Sequence, residues 1–168
     1  MTRILGIDPG SRVTGYGIVD QDGQSISYIA SGCIRTNSRS FPERLGIIFS
    51  GIGTVMDEYR PDQIAVEQVF MNKNADSALK LGQARGAAIC AAVTRALPVA
   101  EYAPREIKLA VVGKGGAAKD QVQHMVCVLL SLSGSPPSDA ADALAVAICH
   151  GHVQSTQQRV RQMGRVTG

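Results

Sequence analysis

The sequence predicts a mixed α/β fold, one five-stranded sheet with helices on both faces. Three observations carry this expectation. The chain opens with three strand-like segments joined by short turns; helical and strand-like segments alternate after them; and the first strand is apolar throughout, as a central strand covered on both faces must be.

Residues 4–8, 13–19 and 25–35 read as the first three strands, broken by the turn-forming Pro9-Gly10-Ser11 and Gln21-Asp22-Gly23. A helix follows over 42–59, with Leu45, Ile48, Phe49, Ile52, Val55 and Met56 as its apolar stripe. Arg60-Pro61-Asp62 stops it, and 63–67 makes a fourth strand. Beyond the loop 68–74, a long helix is expected over 75–97 and a fifth strand over 99–102. Shorter helices at 105–112 and 118–132 flank the Gly-rich loop 113–116. Pro136-Pro137-Ser138 introduces the last helix, with Ser138 its N-cap candidate.

A chain of 168 residues is long enough for one domain that buries roughly 70 % of its unfolded surface. Hydrophobic content of 45 % and charged content of 18 % exclude global disorder. The net charge of +3 is too small to identify a nucleic-acid partner by itself. Its distribution is more telling: residues 154–168 contain no acid and carry Arg159, Arg161 and Arg165. The expected organisation is a domain over 1–153 followed by a basic, disordered tail over 154–168. Cys33, Cys90, Cys127 and Cys149 lack paired spacing and read as reduced core cysteines of a cytoplasmic protein. His150 and His152 read as cations at a helix C-terminus. Met1-Thr2-Arg3 leads straight into a strand with no signal-peptide pattern. The apolar stretch 84–97 is broken by Arg85 and Arg95 and is too short to span a bilayer, so no membrane is expected.

The chemistry concentrates in acids. Asp8 closes the first strand and Glu67 the fourth, while Asp139 and Asp142 stand three residues apart on one face of the last helix. A carboxylate closing a buried strand is costly to desolvate unless a partner offsets its charge. Acids converging from several core elements are natural ligands for a hard cation such as Mg²⁺, and four of them match a two-Mg²⁺ site for phosphodiester hydrolysis. Each acid alone has an ordinary explanation, as turn opener, strand edge or helix start. No Ser-His-Asp or Cys-His arrangement competes. The loop Gly113-Lys114-Gly115-Gly116 is not a P-loop, since the required spacing is absent.

Several of these stretches together resemble the RuvC family of Holliday-junction endonucleases, in the RNase H-like superfamily. They are Gly6-Ile7-Asp8-Pro9-Gly10-Ser11, Ile64-Ala65-Val66-Glu67-Gln68-Val69-Phe70 and Asn74-Ala75-Asp76-Ser77-Ala78. Gly82-Gln83-Ala84-Arg85-Gly86 and Asp139-Ala140-Ala141-Asp142-Ala143-Leu144 continue the match, which runs to about His152. The resemblance implies an RNase H-like sheet and two catalytic Mg²⁺, with Mn²⁺ able to substitute, held by Asp8, Glu67, Asp139 and Asp142. It implies a homodimer that cuts opposing strands of four-way junction DNA in recombination and repair, with RuvA and RuvB as branch-migration partners by analogy. It also sets Lys108 and Lys119 near the scissile phosphates as catalytic and DNA-binding residues. Lys73 and Lys114 are further candidate DNA contacts; for any one lysine the ordinary alternative is a solvated surface charge.

Phe70 either stacks on an unpaired base or caps the strand as a core aromatic, and the resemblance favours stacking. Gly82 and Gly86, with Ala84, Ala87, Ala88, Ala91 and Ala92, make a smooth helix surface that packs internally or against a second subunit. Three other functions stay open: a sugar-kinase or actin-like ATPase, which needs two such domains; an RNase H-like nuclease acting on RNA–DNA hybrid or ribosomal RNA precursor; and a non-catalytic junction-binding module.

Overall fold

A computed structural model describes residues 1–36, 40–69 and 74–166. Strands β1 (Thr2–Asp8), β2 (Val13–Asp22), β3 (Ser25–Arg35), β4 (Gln63–Glu67) and β5 (Val99–Tyr102) form one sheet in the order β3-β2-β1-β4-β5. The meander β1–β2–β3 is antiparallel, whereas β4 and β5 join β1's other side in parallel. Because β1 is central, Ile4, Leu5 and Ile7 are fully buried, as its unbroken apolar run requires.

Helices α1 (Phe41–Tyr59) and α2 (Ala75–Val93) cover one face around Leu5, Ile7, Ile18, Ile64 and Val66. On the other face α3 (Pro104–Val112), α4 (Lys119–Leu129) and α5 (Ser138–Val166) pack on Ile4, Val19 and Ala65. The expected mixed five-stranded sheet with helices on both faces is the one observed.

α5 lies unusually close to the sheet, and glycine makes this possible. A Cβ on Gly6 would stand 2.1 Å from the carbonyl oxygen of Ala143, and one on Gly15 would stand 1.9 Å from that of Asp139. Only strands without side chains at these points admit the helix backbone.

Several expectations are corrected. α2 ends at Val93 rather than at 97, because Ala96 adopts a left-handed φ of 56° and Leu97 N–H returns to the Ala92 carbonyl. Ser138 is the first helical residue of α5, and its hydroxyl accepts from Gln123 Nε2 at 2.9 Å. α5 continues through Val166, so the stretch expected to be a disordered tail is helical, and its start is packed. Ser155 is buried and donates to the Gly23 carbonyl at 2.7 Å, while Gln154 bonds Gln63. The histidines therefore sit inside a helix and not at its end. His150 is 6 % exposed, between the Tyr102 hydroxyl on Nδ1 and Gln63 Oε1 on Nε2, both at 2.7 Å. Burial lowers its pKa, which opposes the cationic role expected for it. Of the cysteines only Cys149 is a fully buried core residue, and Cys90 is exposed on α2.

Candidate active site

The parallel pairing of β1 with β4 sets Ile7 against Val66, so the next residues, Asp8 and Glu67, emerge side by side at the ends of two buried strands. Asp8 is also the register partner of Gly15, the glycine on which Asp139 rests, so the first turns of α5 arrive at this same end of the sheet. Asp8, Glu67 and Asp142 line one cleft of about 380 Å³ together with Lys108 of α3 and Lys119 of α4. Pro104, Ile107, Val122 and Ala145 complete its walls. A smaller cleft of about 190 Å³ lies past Asp8 and Glu67 along Pro9, Gln68, Val69 and Leu81.

The electrostatics follow from burying acids together. Burial, then the charges of Glu67 and Asp142, push the Asp8 carboxyl up to about 8. Burial also raises Glu67, while the hydrogen bond it shares with Asp8 and the ammonium groups of Lys119 and Lys108 pull the other way. The hydrogen bond between the two carboxyls raises Asp8 and lowers Glu67, so of the pair Asp8 is the one that favours its protonated form. Lys119 Nζ lies 2.5 Å from Asp142 Oδ2, and that hydrogen-bonded pair raises the lysine further.

The acids surround one cleft without meeting at a point. Among the described residues no three His, Cys, Asp or Glu side chains are gathered at metal-ligand spacing. Asp142 is drawn to Lys119, and Asp139 stands outside the residues lining the cleft, though its charge is felt at Asp8 and at Lys119. Like charges resist closer approach without a cation between them. The donor set is nevertheless all carboxylate oxygen, which suits Mg²⁺ or Mn²⁺. Its desolvation and mutual repulsion are what a cation would relieve.

Lys114 is exposed in the loop between α3 and α4, apart from the cleft-lining residues. Phe70 and Lys73 lie outside the described residues. Two participants escaped the sequence reading. Arg85 of α2 reaches under the site, with Nε 3.2 Å from the Glu67 carbonyl and Nη2 on Glu101, which fixes the end of β4 against β5. Its signal was a cation among the alanines of the second half of α2, which needs a partner when half buried. The Cys33 thiol lies beside the Ala140 backbone N–H and near Asp139, a position no local pattern marks.

Comparison with known proteins then decides the family. The model of the family described as crossover junction endodeoxyribonuclease RuvC matches residues 4–150. The chain belongs to the RuvC family. A RuvC from Methylococcus capsulatus is 63 % identical over 165 residues, covering 98 % of this chain and 99 % of the relative. A RuvC from Photobacterium profundum is 62 % identical over 93 % of this chain and 90 % of its own. Among solved structures, T. thermophilus RuvC in complex with Holliday junction substrate matches at TM-score 0.88 and 34 % identity. That match covers 94 % of this chain and 97 % of that one. The yeast mitochondrial Holliday junction resolvase Ydc2, at 12 % identity and TM-score 0.69 over 99 % of this chain and 86 % of its own, shares the fold. RuvC proteins are crossover junction endodeoxyribonucleases, so the cleft belongs to a nuclease fold.

Proposed function

We propose that this chain resolves four-way DNA junctions by hydrolysing phosphodiester bonds in opposite strands, and that Asp8, Glu67, Asp139 and Asp142 carry the reaction. One observation carries this assignment most: two strand ends and a helix start deliver acids to a single cleft whose rim holds Lys108 and Lys119. Mg²⁺ held by these carboxylates, or Mn²⁺ in its place, would supply an activated water and stabilisation of the leaving oxygen. The chain's own groups do the rest. Asp8 and Glu67, whose burial disfavours their charged forms, would hold the cation between them, and Asp142, now paired with Lys119, would join them. Lys119, whose side chain is 61 % exposed, is placed to give its ammonium to an incoming phosphate, with the half-buried Lys108 lining the same cleft. Lys119→Ala is expected to slow single-turnover cleavage roughly 10²-fold with a smaller loss of affinity, as for removal of one charge-stabilising donor. Equal losses in both would make Lys119 a binding residue only.

Phe70 stacking on an unpaired base, and phosphate contacts from Lys73 and Lys114, belong to the same reading. So do cytoplasmic location and handover from RuvA and RuvB. No helix among the described residues is long and apolar enough to cross a membrane. Two cuts in one junction call for two sites, which a two-fold homodimer supplies. The face of α2 around Gly82 and Gly86 is the place we assign to the dimer contact. A Cβ at either glycine meets nothing within 4 Å among the described residues, so their internal packing does not use these positions. Gly86→Leu is expected to fold and to sediment as a monomer; a dimer unchanged in mass would remove α2 from the interface.

The functional reading is tested by incubating the protein and Mg²⁺ with a synthetic four-way junction, its linear duplex and an RNA–DNA hybrid. Paired nicks in the junction alone are expected. Preferential cutting of the hybrid would identify a different RNase H-like nuclease.

A further inference from the structure

The two lysines that line the cleft, Lys108 and Lys119, come from α3 and α4 on one side of the carboxylates. On the other side, toward the β3 edge of the sheet, two arginines have no role yet. Arg35 ends β3 and Arg12 stands in the turn before β2, and both are exposed. Thr36, 0 % exposed, ties them together. Its hydroxyl donates to the carbonyls of Ser11 at 2.8 Å and Arg12 at 3.2 Å, and its backbone N–H donates to Arg12 O at 2.9 Å. Arg3, Arg85 and Arg95 each hold a carboxylate. Among the described residues neither Arg12 nor Arg35 has an ion pair, so both guanidinium forks are open to an outside anion.

The sheet register locates them. Asp8 faces Gly15, and Gly15 faces Cys33, so Arg35 lies two strands across from Asp8 and two residues further on. That is ~10 Å sideways and ~7 Å along, so about 12 Å between backbones. Alternation puts Arg35 on the same sheet face as Cys33. The Cys33 thiol sits beside Ala140 and feels the charges of both Asp139 and Arg35, so this is the face that α5 covers.

We propose that Arg35, with Arg12 beside it, holds backbone phosphates of the junction strand on the β3 side of the cleft, opposite Lys108 and Lys119. The proposal rests on the reading that the cleft cuts junction DNA. A strand crossing the carboxylates is then anchored by cations on both sides, which holds the phosphate in place against acidic groups that would repel it. Arg35 adds no acid–base chemistry, so it is a binding residue whose loss appears in affinity and in its salt dependence.

The test is junction affinity by fluorescence anisotropy over a salt series, with Ca²⁺ in place of Mg²⁺, alongside single-turnover cleavage at saturating enzyme in Mg²⁺. Arg35→Ala is expected to weaken binding roughly 10-fold at low salt and to lower the slope of log K against log[salt] by about 0.9, as one lost phosphate contact requires. Arg12→Ala with Arg35→Ala should lower it by about twice that amount. Cleavage once bound should change less than affinity, and Arg35→Lys should restore the slope. Arg35→Gln reads the same slope should the alanine variant lose its fold. Arg159→Ala is the control for bulk charge, since Arg159 lies ~30 Å along α5 from Asp139. An unchanged slope for Arg35→Ala, or an equal loss for Arg159→Ala, would overturn the assignment while leaving the cleft intact. Wild-type protein that fails to bind the junction would instead overturn the functional reading beneath it.

Discussion

Replacing Asp8 by Asn is expected to reduce junction cleavage by roughly 10³-fold or more while making the metal-free protein more stable. The two effects have one cause. Asp8 closes a central strand beside other half-buried acids, so its charge is unfavourable in the folded protein unless a cation offsets it. The sign of the pH dependence follows. The folded protein keeps the Asp8 proton up to about 8, and the unfolded chain releases it near the ordinary value of 3.8. Between those values the folded state binds more protons, so this contribution is fully present below about pH 4 and is lost as pH rises through 8. In chelator, wild-type stability should fall across that window. The Asn variant should show a shallower fall and, at pH 7.5, a melting temperature roughly 3 °C higher, about 1 kcal/mol. Thermal scans at four pH values check this. A variant less stable than wild type at pH 7.5 would show that Asp8 serves packing rather than cation binding. Junction binding should survive the change, because it removes repulsion of phosphate.

The second large effect is expected from adding one methyl group beneath α5. In Gly15→Ala the new Cβ meets the Asp139 backbone carbonyl oxygen at 1.9 Å, where no flexible side chain can yield. Either the first turn of α5 lifts or β2 bends, at a cost of about 1–3 kcal/mol. For a chain of this length that lowers the melting temperature by roughly 3–10 °C. Because Asp139 and Asp142 ride on that turn, cleavage should fall by at least about 10²-fold even where the protein is folded, as displacement of catalytic groups by about 1 Å does. Circular dichroism melts paired with single-turnover cleavage separate the two losses. Full activity in a folded Gly15→Ala protein would mean that α5's close approach is not what positions the acids.

The contrast between these two residues shows how much of the site the sequence carries. Asp8 was legible because an acid at the end of an unbroken apolar strand contradicts its surroundings. Glu67 and the Asp139–Asp142 pair were legible for the same reason. Their convergence was read from the family resemblance and from sheet logic, since the register that sets Asp8 beside Glu67 is long-range. Gly15 was not legible as a site residue: a glycine inside a strand signals a close approach, but only α5's position says by what. The strands were largely readable from apolar period and turn residues. The C-terminal stretch was misread because its polar composition suggested a tail, whereas Gln154 and Ser155 are tied to Gln63, Gln21 and Gly23 across the fold. His150 was misread likewise, because nothing local announces that Tyr102 and Gln63 will satisfy it in the core. The Lys119–Asp142 pair needed the packing of α4 against α5 to appear.

The central claim is that Asp8, Glu67, Asp139 and Asp142 together form the cation site of this nuclease. Anomalous diffraction from crystals soaked in Mn²⁺ tests it most directly. Mn²⁺ peaks within ligand distance of these carboxylates, with Lys119 drawn away from Asp142 and the peaks lost in Asp8→Asn, are the expected result. Mn²⁺ bound elsewhere in a protein that still cuts junctions, or peaks untouched by Asp8→Asn, would contradict it.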